Sequence, residues 1–198
     1  MIELDFNFDH SDEAYEKLLN EWKERENNFV SKPKYSLLQP RQITLKHIIE
    51  SNAIENVYDP GEVPKSIIAW EFLTRQPRLD GDVIKRVHRE IMAGLVPAEH
   101  LGQWRPYSVN VKGSNEILSH PIVIAEQIAD WTRFLNNRPE GLSPRAMHVW
   151  FERIHPFVDG NGRVGRMLMW YHEMRIGQWA TLIEKSEEES YYQWFHNH

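Results

Sequence analysis

The 198-residue chain holds 23 Lys and Arg against 29 Asp and Glu, a formal net charge of −6 at pH 7, and no cysteine. That composition excludes disulfides, thiolate zinc sites and a cysteine nucleophile, and it disfavours a general nucleic-acid binder, which needs clustered Lys and Arg. The length suits about one domain with a core large enough to need no staples. The N-terminus, MIELDFNFDH, lacks a basic-then-apolar leader, and no apolar run approaches the ~20 residues that span a bilayer. The expectation is therefore a cytoplasmic protein with no membrane or nucleic-acid partner.

Most of the chain reads as helix. Tyr15, Leu18, Leu19 and Trp22 recur at helical spacing behind a cap at Ser11. A second helix is expected over about 41–54, with Leu45, Ile48, Ile49 and Asn52 on one face. YDPGEVP breaks it, and Pro64 opens a third helix through Ile67, Ile68 and Phe72. A fourth follows Asp80, with Ile84, Val87 and Ile91 inward and Gly94 as its stop. Residues 94–120 are irregular; within them SVNVKGSNEIL alternates about Gly113, Ser114 and Asn115, which predicts a two-stranded flap of Ser108–Val111 against about Glu116–Leu118. An isolated ribbon of this size is marginal unless it packs on something or gains a strand. Helix returns at about 122–136 through Ile124, Ile128, Trp131 and Leu135. Ser143-Pro144 caps the next one, whose apolar face is Met147, Trp150, Phe151 and Ile154. A further helix runs from about Asn161 to Gly177, with Trp170 and Tyr171 as core, and the last spans 186–195.

Between the last two long helices lies HPFVDGNGRVGR, residues 155–166. Pro156 ends the preceding helix and leaves His155 at its edge. Gly160 and Gly162 allow close backbone approach to a ligand. The first N–H groups of the following helix lack internal partners and carry the positive end of the helix dipole, so they form an anion cradle. Arg163 and Arg166 share a face beside it. Residues 153–175 hold four arginines against two carboxylates, a small basic island in an acidic chain that suits a small polyphosphate. Asp159 offers a hard oxygen for Mg²⁺, and His155 is a candidate general base. Each also has a plain reading: a structural histidine, a turn aspartate, a capping Asn161, a solvated arginine face.

His155-Pro156-Phe157-Val158-Asp159-Gly160-Asn161-Gly162-Arg163-Val164-Gly165-Arg166 resembles the signature of the Fic (Fido) family, HPFx[DE]GNGRxxR, at every fixed position. The resemblance extends over about residues 80–195. It implies an all-α Fic fold, a helical bundle with a small β-hairpin flap, divided into an N-terminal helical region, 1–75, and a catalytic core, 76–198. It implies a protein adenylyltransferase that moves AMP from ATP, with Mg²⁺, to a Tyr, Thr or Ser hydroxyl of a target protein or of the chain itself. By that analogy His155 is the base and Asp159 holds the metal. Gly160, Asn161, Gly162, Arg163 and Arg166 bind the phosphates, and Phe157 anchors the loop. The flap, Asn110, Val111, Lys112, Gly113 and Ile117, would pair with an extended target segment.

Residues 51–56, SNAIEN, resemble the family's inhibitory motif [ST]xxxE[GN] through Ser51, Glu55 and Asn56. The resemblance implies that Glu55 pairs with Arg166 and holds ATP in an unproductive pose. It also allows AMP removal, with the glutamate orienting a water, and a homodimer that tunes inhibition. Two alternatives stand: kinase-type phosphoryl transfer, whose practitioners tend to carry Lys where this chain has Gly162, and a nucleotide-binding regulator without turnover.

Overall fold

The computed structural model describes residue 43 and residues 45–109, 118–137 and 139–196. Seven α-helices run through these residues: α1 (Leu45–Ile54), α2 (Glu62–Thr74), α3 (Gly81–Met92), α4 (Ile124–Asn137), α5 (Pro144–Ile154), α6 (Asn161–Arg175) and α7 (Glu188–His196). Short 3-10 turns, Pro121–Val123 and Lys185–Glu187, lead into α4 and α7. Among the described residues there is no strand.

The local start signals work as their chemistry requires. Asp80 takes extended backbone and its Oδ1 accepts from Val83 N at 2.8 Å. Ser143 Oγ accepts from Ala146 N at 3.1 Å, and Pro144 fills the first helical position, where no N–H is needed. Each such cap stabilises its helix by about 1 kcal/mol. The third predicted helix, α2, begins at Glu62, two residues before Pro64, because a proline is tolerated anywhere in a first turn whose N–H groups bond nothing.

Helix α6 is the axis of the fold. Thirteen of its 15 residues are buried, so it has no solvent face. It packs against α5 along its length and against α1, α2 and α3. Val164, Met167, Leu168, Met169, Trp170 and Tyr171 carry its apolar contribution, none more than 2% exposed. Burying side chains of this size stabilises by about 1.5–3 kcal/mol each. Ile84, Val87 and Ile91 of α3, Ile128, Trp131 and Leu135 of α4, and Phe151 and Ile154 of α5 complete the core as their spacing predicts.

Three expectations are corrected or fall elsewhere. Ile68 is 39% exposed, because the inward stripe of α2 is Val63, Ile67, Trp70 and Leu73. The helix over Tyr15–Trp22 lies outside the described residues. So does the predicted flap, Asn110, Val111, Lys112, Gly113 and Ile117 among it; at its feet Ser108, Val109 and Leu118 form no strand, so the β-hairpin is not supported. The feet are joined another way. Arg105 donates to the carbonyls of Tyr107 (2.8 Å) and Ser119, and Ser119 N donates to Arg153 O at 3.1 Å. No helix among the described residues is long and apolar enough to cross a membrane.

Candidate active site: a braced loop at the start of a buried helix

The chain leaves α5 through His155, whose φ of 47° is left-handed. Arg105, 2% exposed, holds this corner from outside: its Nε donates to His155 O at 2.7 Å and its backbone N to Pro156 O at 2.8 Å. The His155 ring is mostly enclosed, with Nδ1 3.2 Å from Glu152 O and 3.6 Å from Glu152 Oε2.

Three further contacts fix the loop. Phe157 is fully buried, stacked on His88 at 3.8 Å between ring centres and beside Trp104. The Asn161 side chain clamps both backbone groups of Phe157: Oδ1 accepts from its N–H and Nδ2 donates to its carbonyl, each at 2.9 Å. His88 bonds Asp159 O through Nε2 at 3.1 Å, while its Nδ1 accepts from Gly102 N at 2.9 Å. A backbone N–H can only donate, so the His88 proton sits on Nε2. Burial pushes the pKa of His88 down to about 4, which keeps the ring neutral in that role.

Gly160 then turns with φ of 80°, and a Cβ there would lie 2.8 Å from Met92 Cγ. At Gly162 a Cβ would fall on Glu55 Oε1. The Glu55 carboxylate therefore sits directly over the first turn of α6, where the N–H groups and the dipole attract an anion.

The two arginines differ. Arg166, 1% exposed, is saturated: Nε donates to Ser51 Oγ (2.8 Å), Nη2 to Ser51 O (2.8 Å) and Glu55 Oε1 (2.7 Å), and Nη1 to the Tyr191 hydroxyl (3.0 Å). Burial works against its charge, but Tyr191 and Glu55 together hold its pKa above the usual arginine value. Arg163, 5% exposed, makes only a contact from Nη2 to Met92 Sδ at 2.8 Å, and its Nε and Nη1 are buried with no hydrogen-bond partner. Burial lowers its pKa, with Asp159, Glu55 and Glu62 opposing. Its neighbour Asn52 Nδ2 is likewise unpartnered. A cavity of about 10 Å³ lies between them, lined also by Ser51 and Ser66, room for about one water. Arg163 therefore keeps two buried donors without an acceptor, beside an arginine whose donors are all engaged.

His155, Asp159, Gly160, Asn161, Gly162, Arg163, Arg166, Ser51 and Glu55 thus converge on one end of α6. Asn56 is adjacent, with φ of 58° and Oδ1 accepting from Lys185 Nζ at 3.2 Å. Asn161 stands differently from a phosphate ligand: its amide is committed to Phe157. The sequence offered no pointer to His88, Arg105 or Tyr191. His88 reads as one more member of the inward face of α3, and Arg105 and Tyr191 reach the site from segments far along the chain.

Comparison with known proteins bears on the family and the fold. The Fic/DOC family model matches residues 78–172. Protein adenylyltransferase Fic of Drosophila erecta is 34% identical over 115 residues, covering 55% of this chain and 22% of that protein. The protein of the same name from Drosophila melanogaster is 34% identical over 114 residues, 55% of this chain and 23% of that one. The match thus spans less than a quarter of these relatives' length. Among solved structures, Fic-1 (residues 134–508) from C. elegans superposes with a TM-score of 0.59 at 21% identity, covering 91% of this chain and 63% of that one. A Fic domain containing signaling protein from Bacteroides thetaiotaomicron gives 0.64 at 16% identity, covering 90% and 80%. These two likenesses concern the fold. Residues 78–172 of this chain are a domain of the Fic/DOC family.

Proposed function

We propose that this chain is a nucleotidyltransferase, a protein adenylyltransferase that moves AMP from ATP to a hydroxyl side chain of a protein, restrained by Glu55. The supporting observation is the convergence of His155, the α6 start and two buried arginines, with a carboxylate placed where a phosphate would bind.

In this reading His155 Nε2 takes the proton of the attacking hydroxyl. The freed oxygen bonds to the α-phosphorus, and the bond from that phosphorus to the α,β-bridging oxygen breaks. The electron pair leaves with pyrophosphate. The N–H groups of the first turn of α6 meet charge developing at the α-phosphate. Arg163, with donors to spare, faces the β-phosphate, and Arg166 takes the γ-phosphate once Glu55 withdraws. Asn161 contributes by closing the loop onto Phe157. Asp159 is an exposed carboxylate on the loop, and among the described residues no cluster of three acidic or histidine side chains waits for a metal. A single carboxylate suits Mg²⁺, which commonly completes its octahedron with phosphates and water. When bound, that ion neutralises phosphate charge.

Glu55 bonds the guanidinium that a γ-phosphate would need, and it covers Gly162. Arg166 is buried while the Glu55 side chain is 32% exposed, so the carboxylate is the partner able to leave. Incubation with ATP labelled on the α-phosphate tests the reading. Labelled protein that increases in Glu55→Gly and vanishes in His155→Ala, with ATP affinity of the latter retained, is the expected result. Label arriving only from the γ-phosphate means phosphoryl transfer instead, and no label from either means a regulator without turnover.

A further inference from the structure

His155 caps the end of α5; before it, His148 and Glu152 stand at i and i+4 and so share the face turned toward α6. The residue they meet there is Gly165, at one of the variable positions of the 155–166 motif. A Cβ at 165 would overlap Glu152 Oε1 and lie 2.8 Å from His148 Cε1. The missing side chain is what admits the Glu152 carboxylate beneath the loop, where it is 12% exposed and its Oε2 lies 3.6 Å from His155 Nδ1.

A polarity runs through this cluster from the other side. Arg166 Nη1 can only donate, so the Tyr191 oxygen accepts from it at 3.0 Å. The Tyr191 proton then goes to His148 Nε2, 2.9 Å away. His148, kept neutral by burial, carries its own proton on Nδ1. Burial alone would push the Glu152 carboxyl up, but His155, His148 and Arg166 around it hold it below the usual carboxylate range. The carboxylate is therefore ionised at neutral pH. His155 Nδ1 faces only acceptors on this residue, the carbonyl and the carboxylate, so its proton belongs on Nδ1 and its lone pair on Nε2.

We propose that Glu152 is the positioning residue of His155, fixing its tautomer and ring orientation from beneath, and that Gly165 is required to make room for it. Tyr191, which lies beyond residues 78–172, and His148 carry hydrogen bonds from Arg166 as far as His148. From there the link to Glu152 is electrostatic, since His148 Nδ1 and Glu152 Oε1 have no hydrogen-bond partner. The proposal rests on the reading of His155 as the base.

The test uses the full chain with Glu55→Gly as background. Glu152→Gln keeps the volume and removes the charge. Its kcat for α-labelled AMP transfer should fall about tenfold or more with the KM for ATP unchanged, since a general base is worth about a hundredfold or more in all. The acid limb of its pH–rate profile should move to lower pH, because an imidazole without its carboxylate is less basic; the other charged groups facing the pair, Arg166 through Tyr191 and Arg105 at the His155 carbonyl, are untouched. Gly165→Ala should reproduce the kcat loss. Unchanged kcat and profile in Glu152→Gln, while His155→Ala is inactive, overturns this proposal and leaves the adenylyltransferase reading standing. A His155→Ala chain that still transfers AMP sinks both. Independently of folding of the variants, ¹⁵N shifts of His155 in the unmodified chain should show the Nδ1–H tautomer; the Nε2–H tautomer overturns the assignment.

Discussion

Gly160 shows how much of the site depends on a single backbone. Its φ of 80° suits only glycine well, and the space a Cβ would need is held by Met92, whose Sδ would stand 2.5 Å from it. The same Met92 sulfur contacts Arg163, so a shift there is felt at the guanidinium. Gly160→Ala should therefore lower stability by about 1–3 kcal/mol, from left-handed strain plus overpacking, and thermal unfolding would read it. His88 is the complementary case. Its two nitrogens do opposite work, accepting from Gly102 and donating to Asp159. His88→Gln keeps an amide where Nε2 stood and loses the Gly102 acceptor, whereas His88→Asn does the reverse. If the Asp159 carbonyl bond positions the loop, Gln should retain more transfer activity than Asn at equal folded fraction. Equal losses in the two variants would assign His88 to packing against Phe157 alone.

Among the elements, the helix starts were legible because their causes are local. Asp80 and Ser143-Pro144 act within three residues of themselves, and the His155–Arg166 stretch carries its loop and anion cradle in one contiguous run. Ile68 was misplaced because α2 has apolar residues on several faces, and only the packed neighbours decide which turns inward. Arg105, His88 and Tyr191 were illegible because their partners lie 50, 71 and 25 residues away. The α1 contact with Arg166 is the element-scale question. Ser51 accepts twice from that arginine, once through its hydroxyl. Ser51→Ala removes one charge-assisted bond, worth about 1.5–3 kcal/mol, and leaves Glu55 in place. AMP transfer should rise relative to the parent chain and stay below Glu55→Gly. A Ser51→Ala rate equal to the parent's would show that the Ser51 hydroxyl takes no part in the proposed restraint.

Across the whole molecule, burial of neutral histidines ties the fold to pH. His88 and His148 are both pushed down to about 4 by burial, and His47 and His172 are lowered in the same direction for the same reason. The unfolded chain binds protons on these rings near pH 6.5, where the folded chain does not. The sign follows: between pH 6.5 and about 4 the unfolded state holds more protons, so stability is fully present above 6.5 and declines as pH falls toward 4. Glu173, raised by burial, works in the opposite sense as its carboxyl takes up a proton. A group moved from about 6.5 to about 4 costs about 3 kcal/mol once the pH is below 4. Chemical unfolding at pH 7, 6 and 5 should therefore give a falling free energy, already evident at pH 5, where carboxylates of ordinary pKa have hardly begun to titrate. His88→Gln should flatten that slope relative to the parent chain, whatever its absolute stability. An unfolding free energy that stays level from pH 7 to 5 in the parent chain would mean these rings are not buried and neutral together, and the tautomer assignments at His88 and His148 would fall with them.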